Sequence, residues 1–305
     1  MKANYYLLFD RINIQSANAI SSPLTYGFPA VSGFVGAIHA LSRSIAAESG
    51  IGLNGVLIAC HRCDVQSFRP HSYADYTFNQ SRNPIKKNGD TASIIEEGKA
   101  HLEVSLVVEV SAKQPRALSM EDARQAFAEQ MRQKLLMQRI AGGSVQSIGA
   151  VQLYDMSCVD DIIIALLPGF VLLEARQELK DLVETIQNPQ SEPFYYADAS
   201  AFQALIETAT LHHLPQGNEW QTKSIKTGRG WLVPMPVGFQ GISQRFDAGE
   251  MAHCRSADYP SQYAECLYGL GKWVFPFRIR ESFSNSFWRY QQPQDDIYLM
   301  TQTVN

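Results

Sequence analysis

The chain has 305 residues, of which 45% are apolar and 10% aromatic, a length and composition that allow one large or two modest folded domains and exclude a disordered chain. A formal charge of −4 argues against non-specific binding to duplex DNA, which draws on a basic excess. Five cysteines, an odd number spread over a long chain, do not make a secreted disulfide framework and are expected as free thiols in a reducing compartment.

The charge is unevenly placed. Residues 1–145 hold 15 Lys+Arg against 12 Asp+Glu, residues 146–220 hold 2 against 11, and residues 221–305 hold 9 against 7. An acidic middle block therefore separates two mildly basic flanks on which RNA contact is permitted. The apolar runs Ile162–Leu167 and Gly169–Leu173 are interrupted by Pro168 and fall short of the roughly 20 residues needed to cross a bilayer. The N-terminus lacks the uninterrupted apolar core and cleavage site of a signal peptide. A cytoplasmic location with no membrane partner is the expectation.

In chain order, YYLLFDRINI (5–14) reads as a strand by its aromatic and β-branched content. Apolar residues at Val31, Phe34, Val35, Ile38, Leu41 and Ile45 then share one helical face over 31–47, with Ser32 a candidate N-cap and Gly50 and Gly52 ending the helix. LNGVLIAC (53–60) is a second strand. Residues 67–99 form a polar stretch without periodicity that carries Arg69, Arg82, Lys86 and Lys87 beside Phe68, Tyr73, Tyr76 and Phe78, long for a plain loop in a compact domain. HLEVSLVVEV (101–110) is a third strand. Ser119, followed by Glu121 and Asp122, opens a second helix with the stripe Ala123, Phe127, Met131, Leu135. That helix should end near Ile140, where Gly142 and Gly143 suit a left-handed cap or the close approach of a ligand. VQSIGAVQLY (145–154) is a fourth strand.

The order β-α-β-β-α-β over 5–154 is that of a ferredoxin-like or RRM-like domain, whose four-stranded sheet is a common RNA platform. Beyond it, helical stretches near 173–187 and 198–212 and a Gly-, Trp- and Tyr-rich region of irregular β structure over 220–290 make up an extension. The expected fold is α+β, with a ferredoxin-like domain over 1–154 that includes a long insertion at 67–99, and a C-terminal extension over 155–305.

Motifs that carry chemistry elsewhere lack their context here. Gly50–Gly55 satisfies G-x-G-x-x-G but follows a helix and precedes a strand, the reverse of the dinucleotide-binding order. Gly269-Leu270-Gly271-Lys272 lacks the hydroxyl residue of a phosphate loop and reads as a tight turn. Cys60-His61-Arg62-Cys63 has no second half to close a zinc tetrahedron, and residues three apart on a regular strand point to opposite faces. His212-His213 reads as a helix end, where a cation complements the macrodipole. Asp160-Asp161 and Asp295-Asp296 read as helix caps or solvent-facing pairs. No nucleophile elbow or zinc-protease helix is present. No metal or cofactor is expected, and His39 with Arg43 one turn later is the one pair to test for a general base and a basic partner. Three features share an explanation in single-stranded RNA: the basic, aromatic 67–99 stretch, the Gly142-Gly143 turn beside Arg139, and the C-terminal Arg229, Trp231 and Arg245.

The blocks SANAISSPLTYGFPAVSGFVGAIHALSR (16–43), IIEEGKAHLEVSLVVEV (94–110), RIAGGSV (139–145), LPGFVLL (167–173), GWLVPMPVGF (230–239) and YGLGKWVFPFRI (268–279) resemble, in order and across nearly the whole chain, the second Csy subunit, the Cas-five-type protein of type I-F CRISPR systems. The resemblance implies a ferredoxin-like fold of the repeat-associated (RAMP) class, with 67–99 as its thumb-like insertion and Gly142 and Gly143 as its glycine-rich turn. It implies one copy per Cascade complex, non-catalytic, gripping the 5′ handle of the guide crRNA. Its protein partners would be the large Csy subunit and the first backbone Csy subunit, and target double-stranded DNA would meet the assembled complex for antiviral defence. Guide base pairing would read the sequence, which suits the mild acidity of the chain. The residues and the resemblance together give as candidate RNA contacts Arg139, Gly142, Gly143, Ser144, Arg69, Arg82, Lys86, Lys87, Lys99, Arg229, Trp231 and Arg245. Lys99 stands where the family usually carries Arg, so a point charge replaces a bidentate fork. The competing reading is a RAMP-type endoribonuclease that processes repeat RNA, with His39 and Arg43 as the pair to test; a third is a purely protein-binding scaffold.

Overall fold

The computed structural model describes residues 3–303. The chain divides into two compact units, the first running through Leu172 and taking in Val274–Phe287, the second comprising Leu173–Trp273 and the segment from Trp288 onward.

In the first unit the elements are β1 (Tyr5–Asn18), α1 (Val31–Ser49), β2 (Ile51–Val65), β3 (Ser67–Phe68), β4 (Thr77–Arg82), β5 (Ile94–Glu97), β6 (Lys99–Ala112), α2 (Glu121–Leu136), β7 (Arg139–Ile140), β8 (Gly143–Asp155), α3 (Val159–Ala165) and β9 (Phe170–Glu174). Its main sheet has the order β9-β2-β6-β1-β8-β7. β1 pairs antiparallel with both β6 and β8, and β2 pairs antiparallel with β6. The two long connections, β1 to β2 and β6 to β8, each carry a helix. Along β1 the fully buried Ile12 and Ile14 alternate with the exposed Asn13 and Gln15, the pattern of a strand with one face on the core and one open. Toward its start β1 is buried on both faces: Tyr6 stacks on Phe287 at 5.4 Å and meets Phe283 edge-on at 5.2 Å. Val31, Phe34, Ile38, Leu41 and Ile45 of α1 are buried, each large side chain contributing about 1.5–3 kcal/mol of transfer free energy. Gly50 in the left-handed conformation (φ 62°) ends the helix.

The second unit contains α4 (Arg176–Gln187), α5 (Ala201–Ala209), a hairpin of β10 (His212–Gln216) and β11 (Glu219–Lys223), and an antiparallel sheet of β12 (Trp231–Gly241), β13 (Ala264–Val274), β14 (Arg289–Gln291) and β15 (Ile297–Thr301) in the order β14-β15-β12-β13. Leu182, Ile186, Ala204, Leu205, Leu232 and Leu270 form its core. Ser200 and Gln203 close a reciprocal capping box on α5.

Several local expectations are corrected. The N-cap of α1 is Ala30, which has no side-chain capping bond, and Ser32 lies inside the helix. Met120 rather than Ser119 caps α2, because Pro115–Leu118 forms a 3-10 turn that Ser119 closes. α2 stops at Leu136 with Met137 at its C-cap, so Gly142 and Gly143 do not cap it. His212 and His213 begin β10 instead of ending a helix, since Thr210 is already extended (φ −92°, ψ 142°). Gly269–Trp273 lies within β13 and is not a turn. The 67–99 stretch, without sequence periodicity, folds as three short antiparallel strands in the order β3-β4-β5.

Candidate nucleic-acid interface

Ala141 and Gly142 are the two central residues of the hairpin that joins β7 to β8, with φ of 49° and 80°. Positive φ at both positions is the conformation of the tight hairpin turn that follows strand twist, and glycine adopts it without a Cβ penalty. Gly142 is exposed, and a Cβ there would meet nothing closer than Asn18 Cβ at 3.9 Å. Gly143 is buried, and a Cβ there would lie 2.6 Å from Ile14 Cγ2 and 2.8 Å from the backbone of Gln15 and Ala17. The two glycines thus have separate jobs: one shapes an exposed turn and the other lets β8 close on β1.

Three further segments meet this turn. Asn18 N–H donates to the Ala141 carbonyl at 2.9 Å, and Asn18 is opposite Lys99 in the β1–β6 ladder. Lys99, at the first position of β6, is ion-paired with Glu97 at 3.6 Å, and its pairing with Asn18 sets it at the same end of the sheet as the exposed Arg139 and Ser144. The start of α1 abuts the turn from another side, where a Cβ on Gly33 would fall 2.9 Å from Ala141. That helix start has neither a capping side chain nor an acidic residue in its first turn; the Gly33 N–H already donates to the Ala30 carbonyl at 2.9 Å, and the positive end of the helix dipole remains uncompensated toward an anion. The loop that leads into α1 is held by Ser22 and Thr25, whose hydroxyls are 2.7 Å apart, and it presents Tyr26, 72% exposed and edge-on to Phe78 at 5.6 Å. Backbone donors, a guanidinium, an ammonium and a free aromatic face are the groups that single-stranded RNA uses. Neither Tyr26 nor the bare start of α1 stood out by residue type. Pro23, Gly27 and Pro29 marked a break in the chain before the helix, and Ser32 suggested a cap that the helix does not use.

Other candidate residues lie elsewhere. Arg69 is exposed but folds back on its own loop: its Nε donates to the Ala74 carbonyl at 2.8 Å, a second nitrogen reaches the Ser72 carbonyl, and the guanidinium covers Tyr76 at 5.1 Å. Arg82, Lys86 and Lys87 are exposed around the β4–β5 hairpin. In the second unit, Arg229 donates to Thr185 Oγ1 at 2.9 Å, Trp231 is 56% exposed and packs against Trp273 at 6.2 Å, and Arg245 is exposed. His39 and Arg43 are both exposed on α1.

The open face of the first sheet holds a polar groove of about 350 Å³ lined by Asn13, Gln15, Arg62, His101, Glu103 and Gln146 among others. Next to it, Ser105 is fully buried and lies 2.7 Å from both Asp10 Oδ1 and His61 Nε2, while the Arg11 N–H donates to it at 3.0 Å. His61 Nδ1 faces the Pro168 carbonyl at 2.7 Å. Burial lowers the His61 pKa, with the Pro168 carbonyl acting in the opposite direction. This network ties three strands to the turn before β9, a positioning role. A register shift between Cys60 and Arg62 sets Cys60 opposite Val104 and Cys63 opposite Leu102. The two thiols therefore share a face, contrary to the regular-strand expectation. Burial pushes Cys60 up to about 12 and Cys63 up to about 11, which makes both weak nucleophiles. Among the described residues no group of three or more His, Cys, Asp or Glu could hold a metal ion, and no helix is long and apolar enough to cross a membrane.

These features define a mixed α/β protein whose most ligand-ready surface gathers at one end of an antiparallel sheet. Residues 7–300 match the family model described as CRISPR-associated protein (Cas_Csy2). The chain is 32% identical over 316 aligned positions to the CRISPR-associated protein Csy2 of Pseudomonas aeruginosa (strain UCBPP-PA14), an alignment that covers 96% of this chain and 93% of that protein. The chain belongs to the Csy2 family of CRISPR-associated proteins, the family of a type I-F Csy complex subunit.

Proposed function

We propose that this chain is a non-catalytic subunit that holds the 5′ handle of the crRNA and joins the large Csy subunit to the crRNA-bound backbone subunits, so that the assembled complex can meet target double-stranded DNA. The observation that carries the reading is the convergence of the bare start of α1, the exposed Gly142 turn, Arg139, Lys99 and Tyr26 at one sheet end. A phosphate fits at the helix start and the turn, where donors are backbone N–H groups that cost no side-chain entropy. A base stacks on Tyr26, a contact worth about 1–3 kcal/mol. Strand order β2-β6-β1-β8, with a helix in each crossover, supports a ferredoxin-like domain of the RAMP class. In that frame the 67–99 hairpins serve as the thumb-like insertion, whose Arg82, Lys86 and Lys87 meet the guide or the first backbone subunit. The reading is one of grip because the groups gathered there are backbone N–H donors and cations.

The test is fluorescence anisotropy of labelled handle RNA with the chain and the large subunit together, repeated with Arg139→Ala, Lys99→Ala and Tyr26→Ala. Each variant should weaken binding, the two cation variants should flatten its salt dependence, and the RNA should be recovered intact. Wild-type affinity in all three, or site-specific cut RNA, would overturn the reading.

A further inference from the structure

β8 is an edge strand for most of its length. Its inner side pairs with β1 from Ser144 to Asp155, whereas on its outer side β7 covers only Gly143 and Ser144. From Val145 to Tyr154 the strand carries no charged residue and no proline, and Gln146, Ser147, Gly149, Ala150 and Gln152 are exposed. Proteins guard such edges with lysines, prolines, short strands or a covering element, because a bare ladder recruits other strands. The guard here is slight: Arg132 reaches the Gly149 carbonyl at 3.4 Å. A groove of about 340 Å³ runs beside this edge between β8, α2 and the start of α3. It is bordered by the carboxylates of Glu121, Glu129, Asp155 and Asp161 and by a single cation, Arg124, already committed to Asp155 through two bonds of 2.8 and 3.0 Å. Glu121 faces Arg124 electrostatically and accepts from Gln125, and Glu129 accepts from Gln133; neither Glu129 nor Asp161 has an ion-pair partner among the described residues.

We infer that the outer edge of β8 is a docking site for an extended, Lys- or Arg-bearing segment of a partner protein, which adds as a strand and sets its basic side chains against the groove carboxylates. Strand addition supplies backbone hydrogen bonds whatever the sequence, and the carboxylates supply the choice of partner. An uncharged edge that would be a hazard in a free protein is explained if it is covered in the working assembly. The same carboxylates repel a phosphodiester backbone, so the occupant is a protein and not the guide. The inference rests on membership of a Csy complex and is independent of where the handle binds.

Hydrogen-exchange mass spectrometry tests it on the full chain alone, with guide RNA alone, and in the complex reconstituted with the other Csy subunits and guide RNA. Amides of 145–155 should slow by about tenfold or more only in the complete complex. The double variant Gln125→Lys with Glu129→Lys, both at exposed positions within α2 that line the groove, should keep the wild-type melting temperature and handle affinity yet lose that protection. Unchanged exchange at 145–155 in the complex, or protection by RNA alone, overturns the inference. So does a double variant that keeps the protection, or one that loses handle affinity together with it. Loss of handle binding by Arg139→Ala, with 145–155 still protected in the complex, touches the handle site alone.

Discussion

Substituting the two adjacent glycines of the β7–β8 turn separates a fold requirement from an RNA requirement. At Gly142 (φ 80°) the space is open, the nearest atom to an added Cβ being 3.9 Å away, so Gly142→Ala costs only the left-handed backbone penalty, about 1–2 kcal/mol. For a cooperative unit of this size that lowers Tm by about 2–8 °C. At Gly143 an added Cβ would come within 2.6 Å of Ile14 Cγ2 and 2.8 Å of two backbone atoms of β1. Those backbone atoms belong to a paired ladder and cannot yield without breaking it, so Gly143→Ala should cost about 3 kcal/mol or more. Thermal melts read the first difference and anisotropy with handle RNA reads the second. Gly142→Ala should lose affinity by about tenfold, more than its small melting shift explains, because RNA would pack on that turn. Gly143→Ala should lose affinity only in proportion to its unfolded fraction. A Gly143→Ala protein that melts like wild type would refute the packing argument; a Gly142→Ala protein with undiminished affinity would remove RNA from the turn.

Tyr26→Ala should leave Tm within about 1 °C, since the ring is exposed, and should cost about 1–3 kcal/mol of handle binding if a base stacks there. Ser105→Ala strips a buried partner from Asp10, from the Arg11 N–H and from His61, and denaturant titration should show about 1–3 kcal/mol lost. Because burial holds the His61 pKa below its ordinary value, the unfolded chain binds that proton more tightly than the folded one. The stability contributed by neutral His61 is complete above about pH 6.5 and declines as pH falls below it; melts across that range should show the loss, and His61→Gln should flatten it. Leu182→Ala, at a fully buried position of the second unit, should cost about 2–5 kcal/mol, read as a lower midpoint in urea.

The alternation of long apolar strands with two striped helices made the elements of the first unit legible from the residues alone. Phe34, Ile38, Leu41 and Ile45 recur at helical spacing because they must reach one sheet face, and that periodicity is visible without coordinates. Caps were less legible. Ser32 and Ser119 are good capping residues by type, but Gly33 has to abut Ala141 and Pro115 starts a 3-10 turn, and these constraints move both helix starts. The 67–99 hairpins were hidden because strands exposed on both faces need no alternation. The Cys60–Cys63 bulge was hidden because a single inserted residue leaves no mark in a short motif. For the candidate site, Arg139, Gly142, Ser144 and Lys99 could be named from chain position and resemblance. Their meeting with Tyr26 and the start of α1 depends on the Asn18–Lys99 and Asn18–Ala141 pairings, which are long-range.

The most direct test of handle binding is photocrosslinking of a 5′-handle RNA carrying 4-thiouridine to the chain within the reconstituted complex, with mass-spectrometric mapping of the attached peptides. The account predicts adducts on peptides containing Tyr26 and on those spanning 139–144, lost in competition with unlabelled handle RNA. Adducts confined to other subunits, or to parts of this chain remote from both segments, would contradict it.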